Sequence, residues 1–138
     1  MTRFGYVMVT YFAAMGAAVA AFIPTPTRLV WNATASAPVG LYTIAPADRL
    51  EVPELVAVMP PEPLADFLVG RGYVGRGVPL LKRVLGLPGQ QVCRIGRDIM
   101  INGTAVGSAL SRDKMGRDLP VWQGCRTVAD DELFLMNW

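Results

Sequence analysis

From Gly5 to Ile23 the chain carries no charged residue. As a helix rising about 1.5 Å per residue, that segment spans roughly 28 Å, close to the hydrocarbon thickness of a bilayer. Arg3 and the free amine precede it, and Pro24 and Pro26 follow it as helix breakers. Three readings fit such a segment: a buried helix of a soluble protein, a cleaved signal peptide and a membrane anchor. Ala18-Val19-Ala20 has the A-x-A form of a cleavage site. The apolar run is longer than a usual signal-peptide core, which favours an uncleaved anchor over residues 1–23. Positive charge ahead of it places the N-terminus inside and the remainder outside, with Arg28 acting weakly against that orientation.

Beyond the anchor the pattern changes to short apolar segments divided by Gly and Pro. Pro24 to Arg28, with its Thr-Pro and Pro-Thr steps, reads as a stiff, extended linker. Strands are predicted over Val39 to Ala45, Leu55 to Met59, Leu80 to Leu85, Gln91 to Ile95, Ile99 to Ile101 and Leu133 to Met136. Asn102-Gly103 marks a hairpin turn. Leu64 to Val69, after Pro63, predicts one or two helical turns. Ser108 to Leu119 reads as a loop, rich in charge and Gly. The predicted fold class is mainly β, one domain over residues 29–138 behind one transmembrane helix. An apolar strand-like run at Leu133 to Trp138 is an unusual way for a chain to stop, so a C-terminal part is expected to be missing.

Composition narrows the chemistry. The net charge is only +2 and the arginines are scattered, so a nucleic-acid partner is not expected. The 138 residues include no histidine. A Ser-His-Asp triad, a Cys-His dyad and most zinc sites are thereby excluded within this chain, and no metal or cofactor is expected. Cys93 and Cys125 are the two cysteines. In an exported domain such a pair suggests one disulfide, against the alternative of two buried thiols.

Lys82 lies within Leu80-Leu81-Lys82-Arg83-Val84-Leu85, among aliphatic neighbours. Burial lowers a lysine's pKa, and a neutral amine near pH 7 is a usable general base. Without histidine, lysine is the leading base candidate. Ser36 is the nucleophile candidate, because Ala35 and Ala37 leave room for a substrate backbone while Pro38 and Gly40 shape the turn into a strand. Each residue alone has an ordinary reading, Ser36 as a turn serine and Lys82 as a packed stem with a solvated head.

Together the two segments are more specific. Lys82-Arg83-Val84-Leu85-Gly86-Leu87-Pro88-Gly89 matches the K-R-V-x-G-x-P-G box of the bacterial type I signal peptidase family throughout, and the chain resembles that family from the anchor to its last residue. The serine box departs from the housekeeping enzyme, in which a methionine follows the serine. Asn32-x-Thr34-x-Ser36-x-Pro38-x-Gly40-Leu41-Tyr42 instead resembles the conjugative-transfer, TraF-like branch, as do the two cysteines and Gly116-Arg117-Asp118-Leu119-Pro120.

The resemblance implies a signal-peptidase/LexA-like β domain with Ser36 as nucleophile and Lys82 as general base. It implies an oxyanion hole from the Ser36 backbone N–H and the Thr34 hydroxyl, with Ala35, Ala37 and Pro38 beside the substrate cleft. Arg83, Gly86, Pro88 and Gly89 take structural roles. The implied protein is a serine endopeptidase of the bacterial inner membrane, in contact with lipid, its domain in the periplasm. It would cut an exported precursor, a signal peptide or a conjugative pilin, after small residues, with head-to-tail joining as a variant. The family pattern continues into a Ser-Asp-Arg box that positions the lysine, and this sequence lacks it. The alternative is a non-catalytic, membrane-tethered β module holding a pilus or secretion subunit. A LexA-like self-cleaving repressor fits less well, for want of a DNA-binding helical region.

Overall fold

A computed structural model describes residues 2–24, 26 and 28–137. Thr25 and Thr27 of the expected linker, and Trp138 of the terminal run, lie outside the described residues. Helix α1 runs over Arg3–Ala21, capped by Thr2, whose side-chain oxygen accepts from Gly5 N–H. None of its residues is buried against the rest of the protein. It is the one described helix long and apolar enough to cross a membrane, with a mean hydropathy of 1.6.

The remainder is mainly β, in three antiparallel sheets. Strands β1 (Leu29–Asn32) and β2 (Gly40–Thr43) form a two-stranded sheet. Strands β3 (Leu55–Val58), β4 (Leu80–Gly86) and β9 (Phe134–Met136) form a second in the order β3-β4-β9. Strands β5 (Gln91–Ile95), β6 (Asp98–Ile101), β7 (Thr104–Ser108) and β8 (Gly124–Thr127) form a third in the order β7-β6-β5-β8. Each strand predicted from the sequence has a counterpart, and β1, β7 and β8 are additional. The predicted helical turns become α2, Glu62–Gly70, with Pro at its first turn.

The turns follow local chemistry. Asn102 and Gly103, at φ 48° and 80°, close the β6–β7 hairpin in the left-handed geometry that such a two-residue loop requires. Pro88 and Gly89 turn β4 into β5; Gly89 takes φ 81°, and Gln90 N–H returns to Leu87 O at 3.1 Å.

The core lies where the second and third sheets meet. Leu85, Val92, Ile99, Ile101 and Val128 are buried together, with Phe134 and Met136 of β9 packed against them. Val84 is completely buried. Cys93 and Cys125 sit directly opposite each other on β5 and β8 and are joined as a disulfide.

The 108–119 loop is held by one carboxylate. Asp113 Oδ2 accepts from Tyr73 Oη at 2.5 Å and from Arg117 Nε at 2.7 Å, while Oδ1 accepts from the backbone N–H groups of Met115 and Arg117. Arg117 Nη2 reaches Arg71 O, and Arg71 Nη1 reaches Asp118 O, both at 3.0 Å. These bonds fasten the loop to the end of α2.

Two predictions follow from packing and charge. A Cβ on Gly86 would lie 2.9 Å from the Phe134 Cβ, whereas one on Gly107 would meet only the mobile tip of Met136, at 2.7 Å. Gly86→Ala should therefore cost about 1–3 kcal/mol in urea unfolding and Gly107→Ala distinctly less. The Tyr73 hydroxyl, helped by Arg117, holds the Asp113 carboxyl well below the usual carboxylate range. A depressed folded pKa gives stability that is complete above the unfolded value near 4 and lost as pH falls below it. The stability gap between wild type and Asp113→Asn should therefore narrow in urea titrations as pH drops below about 4.

Candidate active site

The 33–39 turn that carries Ser36 leaves β1 and returns as β2. Asn32, the last residue of β1, is buried and organises it. Asn32 Nδ2 donates to the carbonyls of Thr34, Ala37 and Pro38 at 2.9, 3.0 and 3.1 Å. Asn32 Oδ1 accepts from Thr34 N–H at 3.1 Å and from Thr34 Oγ1 at 2.9 Å. Tyr42 Oη adds a 2.6 Å bond to Pro38 O. The turn is thus tied to side chains at both of its ends. Ser36 and Thr34 are exposed, Ala37 is buried, and Ser36 Oγ lies 3.0 Å from Thr34 Oγ1.

Lys82 sits in the middle strand of its sheet, directly opposite Val56 of β3. It is half-buried, and burial pushes its amine below the ordinary lysine value. No hydrogen bond or ion pair of Lys82 is present among the described residues. On the other side of β4, Asn137 stands in for a strand residue. Its Nδ2 donates to Leu81 O at 2.9 Å and its Oδ1 accepts from Arg83 N–H at 3.1 Å. One side-chain amide therefore brackets the lysine and continues the β4–β9 ladder past Met136.

A cleft of about 430 Å³ lies between residues 35–39 and the Arg83–Asn137 pair. It brings Ala35, Ser36, Ala37 and Pro38 together with Arg83, next in sequence to Lys82. Ser36 and Lys82 themselves are not hydrogen bonded, and Ser36 pairs with Thr34. Arg83 Nη1 also reaches Pro53 O at 3.1 Å. Gly86, Pro88 and Gly89 lie farther along, at the core and the following turn, and the Cys93–Cys125 bridge belongs to the third sheet. Larger hollows of about 700 Å³ and 680 Å³ lie elsewhere and include neither Ser36 nor Lys82. Among the described residues no group of His, Cys, Asp or Glu has the makings of a metal site.

Sequence reasoning assigned no role to Asn32 or Asn137. Asn32 carries a local signal, an asparagine two residues before a threonine at a strand end. Asn137 contacts residues more than fifty positions away and has none.

The arrangement pairs an exposed serine hydroxyl with a second hydroxyl and sets them beside a strand holding a desolvated lysine. Ser36 and Lys82 are the two groups that the sequence singles out as candidate nucleophile and base. A family model described as signal peptidase, peptidase S26, matches residues 1–138, and the chain belongs to that family. No curated protein and no solved structure gives a significant match.

The Asn137 bracket has a measurable consequence. Asn137→Ala removes two hydrogen bonds and leaves Leu81 O and Arg83 N–H without them, so unfolding in urea should show a loss of about 1–3 kcal/mol.

Proposed function

We propose that the chain is a membrane-bound serine endopeptidase in which Ser36 is the nucleophile and Lys82 the general base. The observation that carries this reading is the cleft itself. It joins the Ser36 turn to the stretch of β4 beside Lys82, whose amine burial shifts toward its neutral form. Neutral Lys82 takes the Ser36 proton as Oγ attacks the scissile carbonyl. The oxyanion is met by the Ser36 backbone N–H and the Thr34 hydroxyl. The adduct collapses to the acyl-enzyme as the leaving amine takes the proton from Lys82, and water then hydrolyses the ester. An amine in the same position joins two ends of a chain instead, the route to a cyclic product.

Helix α1 anchors the protein in the bacterial inner membrane, in contact with lipid, with residues 24–28 as tether. Arg3 ahead of the helix supports a periplasmic position for residues 29–138. The substrate is a protein precursor delivered by the membrane, cut after small side chains that suit the cleft beside Ala35 and Ala37. The TraF-like serine box supports a conjugative pilin as that precursor. A second reading, a tethered β module that binds such a subunit without turnover, draws on the absence of a Ser36–Lys82 hydrogen bond.

Ser36→Ala and Lys82→Ala should each abolish processing of a pilin-like precursor by the full chain in proteoliposomes; full cleavage by either variant refutes the dyad. Thr34→Val should lower the rate about 10²–10³-fold. The active form of Lys82 is the neutral amine, so the rate should rise with pH through an ionisation below the ordinary lysine value. A rate that is flat in pH, or one that falls, contradicts Lys82 as base.

A further inference from the structure

The donors and acceptors around Asn32 fix the direction of a chain of hydroxyl protons. Three carbonyl oxygens face one end of the Asn32 amide, and only the NH₂ group can satisfy them. The other end is therefore the carbonyl oxygen, and it accepts from Thr34 N–H. A carbonyl oxygen has no proton to give, so the 2.9 Å contact with Thr34 Oγ1 uses the single proton of the Thr34 hydroxyl. In the 3.0 Å contact between Thr34 Oγ1 and Ser36 Oγ, Thr34 must then accept and Ser36 must donate. The chain runs from Ser36 through Thr34 to Asn32.

We propose that Asn32 is a positioning residue: it sets this resting direction and places the Thr34 hydroxyl oxygen 3.0 Å from Ser36 Oγ, where that hydroxyl is at hand when a substrate carbonyl arrives. The proposal rests on Ser36 being the nucleophile. Thr34 gives its proton to one acceptor at a time at full strength, and a charged oxyanion takes it from the neutral Asn32 Oδ1. When the Thr34 hydroxyl turns to the substrate oxygen, Asn32 Oδ1 keeps its bond from Thr34 N–H and is not left unsatisfied. The turn therefore avoids the penalty of a stranded buried acceptor. The Ser36 hydroxyl then exchanges its bond to Thr34 for one to neutral Lys82, the stronger acceptor. Ser36 Oγ then bonds the carbonyl carbon, the π pair moves onto oxygen, and the proton passes to the amine.

Asn32 has a second task, holding the turn through its three carbonyl bonds, and the test must separate the two. The full chain in detergent micelles is acylated with p-nitrophenyl acetate, and the p-nitrophenolate burst gives the rate, with Ser36→Ala as blank and peptide mapping to locate the acetyl group. Asn32→Ala should slow acylation about 10–100-fold and Thr34→Val about 10²–10³-fold, while Thr34→Ser, which keeps the hydroxyl, stays within a few-fold of wild type. If Asn32 acts through the Thr34 hydroxyl, the double variant loses at least about tenfold less than the product of the single losses. Losses that simply multiply mean Asn32 only holds the turn, and they overturn the proposal while leaving the nucleophile in place. A second measurement needs no turnover and no substitution of Asn32. In proton NMR of the wild type the Thr34 hydroxyl should be protected from exchange and show a cross-peak to the Asn32 side chain. A Thr34 hydroxyl in fast exchange with water overturns the proposal. Wild type that is not acylated at Ser36, with that resonance protected, refutes the peptidase reading and leaves the hydroxyl chain as observed.

Discussion

Strand β4 is the constraint on which the rest depends. It lies between β3 and β9, and its two ends do different work. Val84, Leu85 and Gly86 are buried, and Gly86 lets β9 come close enough for Phe134 to pack over the strand. Lys82, four residues earlier, pairs with Val56 and loses solvent. A strand fixed so firmly at its C-terminal half cannot slide by one residue without turning every side chain to the opposite face. The lysine's place is thus set by the same packing that closes the core. Asn137 adds to it by hydrogen bonding the backbone on both sides of that lysine.

The Ser36 side of the cleft is built on another principle. A buried amide and a tyrosine hydroxyl hold the Ser36 turn. Polar bonds of this kind specify direction as well as position, since each donor needs an acceptor. A core of aliphatic side chains can place a strand, but it cannot decide where a hydroxyl proton points.

Much of this was legible in the chain. The N-terminal helix follows from an uncharged run of bilayer length, and Asn102-Gly103 and Pro88-Gly89 fix their turns by backbone chemistry. Strands β4, β5 and β6 carry enough aliphatic side chains to be read directly. Strand β1 is harder, because Leu29 and Trp31 are exposed and only Val30 and Asn32 face inward, which reverses the expected polarity. Strand β8, Gly124–Thr127, is exposed at every position and exists because β5 and a disulfide hold it. Its sequence has no periodicity to read, since tertiary pairing overrides local preference. For the site, residue types pointed to Ser36 and Lys82. The asparagines that hold them act through contacts without a hydrophobic period, and Asn137 does so across more than fifty residues of chain.

The Cys93–Cys125 bridge has a consequence for when the protein becomes itself. It ties one edge strand of the third sheet, β8, to its neighbour, and the turn after that strand leads through Val128 into β9 and so to Asn137. Thiols pair where the surroundings are oxidising and stay apart in a reducing cytosol. Locking of β8 therefore depends on the redox state of the surroundings as well as on sequence. A newly made copy held among reductants would carry its lysine strand and its serine turn but would lack the covalent tie at the sheet's edge.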